Sequence, residues 1–242
     1  MTQISEIPSN IKLDPIAFVC DKSLGDHIQE PWPNNHHFMC LCGMPGGGKT
    51  TLAMSLLTTN GPSRQYRKVF NHILLFMPEH SQSSLKNSPF KNHDPEKIFD
   101  ELNYENLEEV YARVRSTAED DQNTLLIIDD MTSDLKNHDI LKLFMMLINN
   151  RRHLRLSIWI LVQSYIAIPL NLRKTISHLC MFKPANKKEY FSLFDELLHL
   201  PKQLAEDVTQ WVFKKNHDFL MVNVQTGELY KNHNKLILSG NQ

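Results

Sequence analysis

Nowhere does the chain hold two cysteines at C-x-x-C spacing. Its only four are Cys20, Cys40, Cys42 and Cys180. That leaves out the paired spacing of a zinc site or a redox couple, so all four are read as reduced thiols, with Cys40 and Cys42 as small strand residues. A metal site drawn from Cys40, Cys42, His36 and His37 is disfavoured, because these are alternating strand residues beside a loop. No stretch of 18 apolar residues occurs, which excludes a single spanning helix. The start "MTQISEIPSN" lacks the basic-then-apolar order of a signal peptide, so the protein is expected to stay where it is made. Repeats and low-complexity tracts are absent. What remains, 41% hydrophobic and 22% charged over 242 residues, is the balance of an ordinary soluble protein with length for one sizeable core.

Net charge is also nearly lacking, at −1, but it is unevenly spread. Residues 1–150 carry 13 Lys and Arg against 20 Asp and Glu, and residues 151–242 carry 13 against 7. The basic clusters of the second part are "NNRRHLR" at 149–155, "LRK" at 172–174, "KPANKK" at 183–188 and "FKK" at 213–215. They suit a polyanion. A solvated basic face with no ligand accounts for the count equally well.

Short apolar runs alternate with longer amphipathic segments, the pattern of a mainly parallel sheet sandwiched by helices, an α/β fold. The runs are "FMCLCG" (38–43), "HILLFMP" (72–78), "TLLIID" (124–129), "SIWILVQ" (157–163) and "HLCMFKP" (178–184). Continuous runs of this kind suit strands buried on both faces. Helices are expected over 49–59, 104–118, 138–152 and 186–199, and another starting near Pro201. The aromatic stripe Tyr190, Phe191 and Phe194 is read as core. The stretch "SQSSLKNSPFKNHDPEK" (81–97) is expected to be a surface loop. "FLMVNVQTGELY" (219–230) is expected to form a C-terminal β-hairpin around Thr226 and Gly227. Residues 1–36 are expected to be an extended lead-in, and residues 37–242 one domain.

Residues 40–51, "CLCGMPGGGKTT", carry the chemistry. Gly43, Gly48, Lys49 and Thr50 fit G-x-x-x-x-G-K-[ST] between an apolar strand and an amphipathic helix, the context that this motif requires. Met44, Pro45, Gly46 and Gly47 complete a loop whose backbone N–H groups are expected to surround the β-phosphate of ATP. Lys49 supplies charge for the β and γ oxygens, and Thr50 is placed for Mg²⁺. Thr51 either contacts the α-phosphate or caps the first helical turn. In "LLIIDD" (125–130) the two acids end a buried strand, where doubly wound sheets place ligands. Asp129 is the expected Mg²⁺ residue, and Asp130 the candidate base that orients the attacking water. The next strand ends in Gln163, where P-loop ATPases with an additional strand carry a residue that reads the γ-phosphate. "DDMT" lacks the glycine of the D-x-x-G that a GTPase needs, and "NKKE" (186–189) ends in Glu where a guanine reader has Asp.

"GMPGGGKTTLA", "LLIIDDM", then "NNRRH" running into "LSIWILVQSY" with "IPLNLRKTI" behind it resemble the HerA-FtsK superfamily, specifically the DNA-packaging ATPases of large eukaryotic DNA viruses and virophages. The resemblance covers roughly residues 37 to 184. It implies a P-loop, RecA-like fold with the additional strand. It also implies a homo-oligomeric ring, hexameric or pentameric, that moves double-stranded DNA into a preformed capsid at the expense of ATP. Capsid vertex proteins are the implied partners, and the host cytoplasm at the assembly site, or the virion, the implied location. Arg151 or Arg152 becomes a candidate finger acting on a neighbouring subunit, with a DNA contact or plain helix-end charge as alternatives. Asp130 departs from the Glu of many members. A non-translocating P-loop enzyme, such as a nucleotide or small-molecule kinase, is the competing function, although the 81–97 loop offers no arginines for an acceptor lid.

Overall fold

The computed structural model describes residues 22–78, 81, 90 and 93–238. Residues 1–21 of the expected lead-in, Cys20 among them, and most of the expected 81–97 loop lie outside the described residues. The expected strands form as β1 (Phe38–Cys42), β2 (His72–Phe76), β4 (Thr124–Asp129), β5 (Leu156–Val162) and β6 (His178–Phe182). All pair in parallel. The hairpin forms as β7 (Phe219–Asn223) and β8 (Glu228–Lys231), and β7 runs antiparallel to β6. Two strands of two residues each, β3 (Ile98–Phe99) and β9 (Asn234–Lys235), close the edges. The sheet order is β3-β2-β4-β5-β1-β6-β7-β8-β9.

Strand side chains alternate between faces, so each strand of this doubly covered sheet feeds two cores. Phe38, Cys40 and Cys42 face the helices Tyr104–Glu119 and His138–Asn150, whose Val110, Val114, Phe144 and Leu147 are wholly buried. Met39 and Leu41 face the helix Lys49–Thr58, and Leu24, Ile28 and Trp32 of the lead-in are buried with them. Full burial contributes about 1.5–3 kcal/mol for each such Leu, Ile or Phe. The described thiols are buried, and burial pushes Cys42 up to about 12.

Two ranges differ from the periodicity. The expected 186–199 helix is α-helical only over Lys187–Leu193, then widens into a π turn over Phe194–Leu198 that ends at left-handed His199. Within that turn Glu196 takes Arg173 at 2.6 Å and the Tyr165 hydroxyl at 3.1 Å, tertiary partners that no local pattern encodes. The 138–152 helix stops at Asn150 with Arg151 as its C-cap.

Below the sheet sits a histidine group. His37 Nδ1 donates to the Asn35 carbonyl at 2.8 Å and its Nε2 accepts from Trp159 at 2.8 Å, which fixes a neutral ring with both nitrogens used. Burial lowers its pKa to about 3, and also lowers His36 and His178 to about 4.

Candidate functional site

β5 is inserted between the strand that leads into the glycine loop and the strand that ends in the acidic pair, as the additional-strand class requires. Its last backbone carbonyls tie both together. Gly43 N–H donates to Val162 O at 3.1 Å, and Asp130 N–H donates to Leu161 O at 3.1 Å. The residue that follows β5 is Gln163, whose amide donates to both Asp130 carboxylate oxygens at 2.8 and 2.9 Å. Asp130 stands at φ 59°, a left-handed conformation that Asp and Asn tolerate better than most residues.

The loop after β1 turns tightly above Phe182. A Cβ on Gly43 would lie 2.7 Å from the Cβ of Phe182, so only glycine fits. Gly48 caps the 49–58 helix at φ 112°, again a glycine conformation. Lys49 is buried, and its Nζ donates to the Gly43 carbonyl at 2.6 Å and the Met44 carbonyl at 3.2 Å. Burial lowers its pKa, against the attraction of Asp129. Thr50 Oγ1 donates to Asp129 at 3.3 Å. Asp129 is itself buried; its carboxyl is raised to about 6 by burial and then by the neighbouring charge of Asp130.

Of the residues that the sequence singles out, the fold gathers Pro45, Gly46, Lys49, Thr50, Asp129, Asp130 and Gln163 around one cavity of about 280 Å³, with Ser81 on its rim. Thr51 is exposed on the helix beyond it. Arg151 and Arg152 do not join. They precede β5, whereas Gln163 follows it, and a seven-residue strand spans roughly 23 Å. They line a separate cavity of about 400 Å³ with Lys22, His36 and Ser177. Arg151 is half-buried, donates to the Ile148 carbonyl at 2.9 Å, and leaves its Nε without a partner.

The four basic clusters are spread over the fold. The cluster at 149–155 precedes β5 and lies at the far end of the sheet, where Arg155 is bound to Asp121 at 2.5 Å, whereas Arg173 of the 172–174 cluster pairs with Glu196 at 2.6 Å and stands over the Tyr165 ring, just past Gln163. Those at 183–188 and 213–215 adjoin the end of the sheet that carries the glycine loop, where Phe182 and Phe219 are paired across β6 and β7.

Two residues here escape the sequence patterns. Glu189 is buried and accepts from Ser164 Oγ at 2.6 Å and from the Tyr165 backbone at 2.8 Å, which fixes the chain just after Gln163. Asn186, three residues before it, is the cap of that helix, so the spacing reads locally as a capping pair, whereas the carboxylate crosses to the turn after β5. His217 lies with its Nδ1 3.1 Å from the Gly47 carbonyl, across 170 positions of sequence. Nothing local marks it.

The sequence profile of the family described as "Poxvirus A32 protein" matches residues 32–196. No curated protein matches the chain. Among solved structures, the genome packaging NTPase B204 from Sulfolobus turreted icosahedral virus 2, in complex with ATP-gammaS, is similar over 83% of this chain and 98% of its own, at 16% identity and TM-score 0.60. B204, the DNA-packaging ATPase from Sulfolobus turreted icosahedral virus, is similar over the same shares at 15% identity and TM-score 0.59. EssC (ATPases 2 and 3) from Geobacillus thermodenitrificans is similar over 77% of this chain and 37% of its own, at 10% identity and TM-score 0.54. At these identities the likeness is one of fold, and it is the additional-strand P-loop fold that the sequence resemblance implies.

Proposed function

The chain belongs to the poxvirus A32 protein family, and on that premise we propose that it is an ATP-hydrolysing motor that drives double-stranded viral DNA into a preformed capsid. What carries this is the position of β5, which brings Gln163 onto Asp130 beside a glycine loop that holds Lys49 and Thr50. The fold likeness to two viral packaging ATPases, over nearly their whole length, supports it.

The glycine loop and the start of the 49–58 helix present N–H groups to the β-phosphate, and Lys49 leaves the Gly43 and Met44 carbonyls for the β and γ oxygens. The donors fit Mg²⁺: hard oxygens from Thr50 and Asp129 lie 3.3 Å apart, and a divalent cation would offset the burial, and then the Asp130 repulsion, that raise the Asp129 carboxyl. When bound, Mg²⁺ supplies charge neutralisation at the β and γ oxygens. Asp130 takes a proton from the water that attacks the γ-phosphorus as the bond to ADP breaks, and Gln163 holds Asp130 and senses the γ-phosphate. Arg151 and Arg152, remote from their own loop, serve a neighbouring subunit in a homo-oligomeric ring, hexameric or pentameric. The ring works with capsid vertex proteins at the assembly site in the host cytoplasm or on the virion. Residues 37–242 form the ATPase domain and residues 1–36 its lead-in. Among the described residues no helix is long and apolar enough to cross a membrane.

Duplex DNA is expected to bind without regard to sequence and to weaken steeply with salt, since each neutralised phosphate releases counterions. It is also expected to stimulate ATP turnover. Charge reversal at Lys183 and Lys188, exposed at the phosphate-loop edge, should reduce that stimulation. Turnover indifferent to DNA, or binding insensitive to salt, would favour a non-translocating P-loop enzyme such as a kinase.

A further inference from the structure

The turn between the helix Lys202–Val212 and β7 is built by one buried carboxylate. Asp218 accepts from the backbone N–H of Lys214 at 3.2 Å and of Lys215 at 2.8 Å, and from the Asn232 amide at 3.1 Å, with Lys231 at 3.3 Å. The turn so fixed holds His217 at φ 65° with Nδ1 3.1 Å from the Gly47 carbonyl and 3.4 Å from where a Cβ on Gly48 would stand. A carbonyl only accepts, so Nδ1 carries the proton and donates. In a planar trans peptide the C=O of one residue and the N–H of the next point in opposite directions. Holding the Gly47 carbonyl outward, toward His217, therefore aims the Gly48 N–H into the loop.

We infer that His217 is a positioning residue for the phosphate loop: its Nδ1–H fixes the Gly47–Gly48 peptide so that the Gly48 N–H meets the β-phosphate of a bound nucleotide. A nucleotide as the ligand rests on the proposed function; the contact does not. Without His217 this peptide is free to turn, and glycines on both sides give it little resistance. The cost falls on ligands that have a β-phosphate. Adenosine monophosphate, which has none, is insensitive.

His217→Asn and His217→Asp test this as a matched pair. Both side chains tolerate the left-handed backbone and place their outer atoms where Nδ1 stands, but only Asn can donate to a carbonyl. Affinities for ADP and for AMP are measured on the full chain, with thermal melts to establish folding. His217→Asn should keep the parent's ADP affinity, and His217→Asp should lose about tenfold for ADP, the worth of about 1.4 kcal/mol, with AMP unchanged. Equal ADP affinity in the two variants would overturn the role, as would equal losses for ADP and AMP, which mark a general disturbance of the fold. A parent chain that binds no ADP removes the nucleotide reading itself and this role with it, an outcome distinct from one in which the parent binds and the variants do not differ.

Discussion

Asp130→Asn is expected to bind ATP with Mg²⁺ as the parent does and to hydrolyse it at least about a hundredfold more slowly, roughly 2.7 kcal/mol of lost transition-state stabilisation. The substitution is sparing. Asn accepts φ 59° as readily as Asp and still offers an oxygen to the Gln163 amide, so the β5 exit keeps its place. What it removes is the carboxylate proposed to take the water's proton. Lys49→Ala is the counterpart and should abolish nucleotide binding or hydrolysis, because no other described cation lines the cavity. Binding measured at equilibrium and turnover measured by phosphate release separate the two. An Asp130→Asn protein with undiminished turnover removes that residue from its role.

Mixing two inactive proteins is expected to restore activity. Subunits of the Arg151→Ala/Arg152→Ala double variant keep an intact loop, and Lys49→Ala subunits keep an intact arginine pair. An arginine that acts in trans lets a mixed interface join one to the other. The geometry favours this over action in cis, since the arginines precede β5 and the cavity lies beyond its other end. Arg152 is exposed, whereas Arg151 is half-buried and held by Ile148, so the single variants should divide, with Arg152→Ala the more damaging to the ring and Arg151→Ala to the fold. ATP hydrolysis by the mixture no greater than the sum of its parts, where mixed rings demonstrably form, leaves these residues as DNA contacts or helix-end charges.

The central strands were legible because strands covered on both faces must be apolar throughout, and few other elements of five to seven residues are. The loop and the acidic pair were legible because phosphate chemistry demands particular residues at short spacing, and the fold gathers Lys49, Thr50, Asp129, Asp130 and Gln163 as one group. Gln163 was visible as a strand-end residue, but its partner was not: that Asp130 receives it depends on β5 lying next to β4, a fact of sheet order. Glu189 and His217 act across 24 and 170 positions, and a single sequence encodes such pairs only through the finished fold. The basic clusters gave the opposite difficulty. They were plain to see, yet the fold spreads them, with Arg155 at the end where β5 begins and Arg173 against Tyr165 past its other end, so a shared face could not be inferred from their charge. The two-residue strands β3 and β9 exist because an edge is there to pair with, not because of any local preference.

ATP-dependent displacement of a third strand from a triplex-bearing duplex tests the central claim most directly, because only a protein that moves along double-stranded DNA strips the strand ahead of it. Stripping is predicted with ATP and Mg²⁺, and not with Lys49→Ala or Asp130→Asn protein. Hydrolysis that DNA stimulates while the third strand stays in place would contradict a motor.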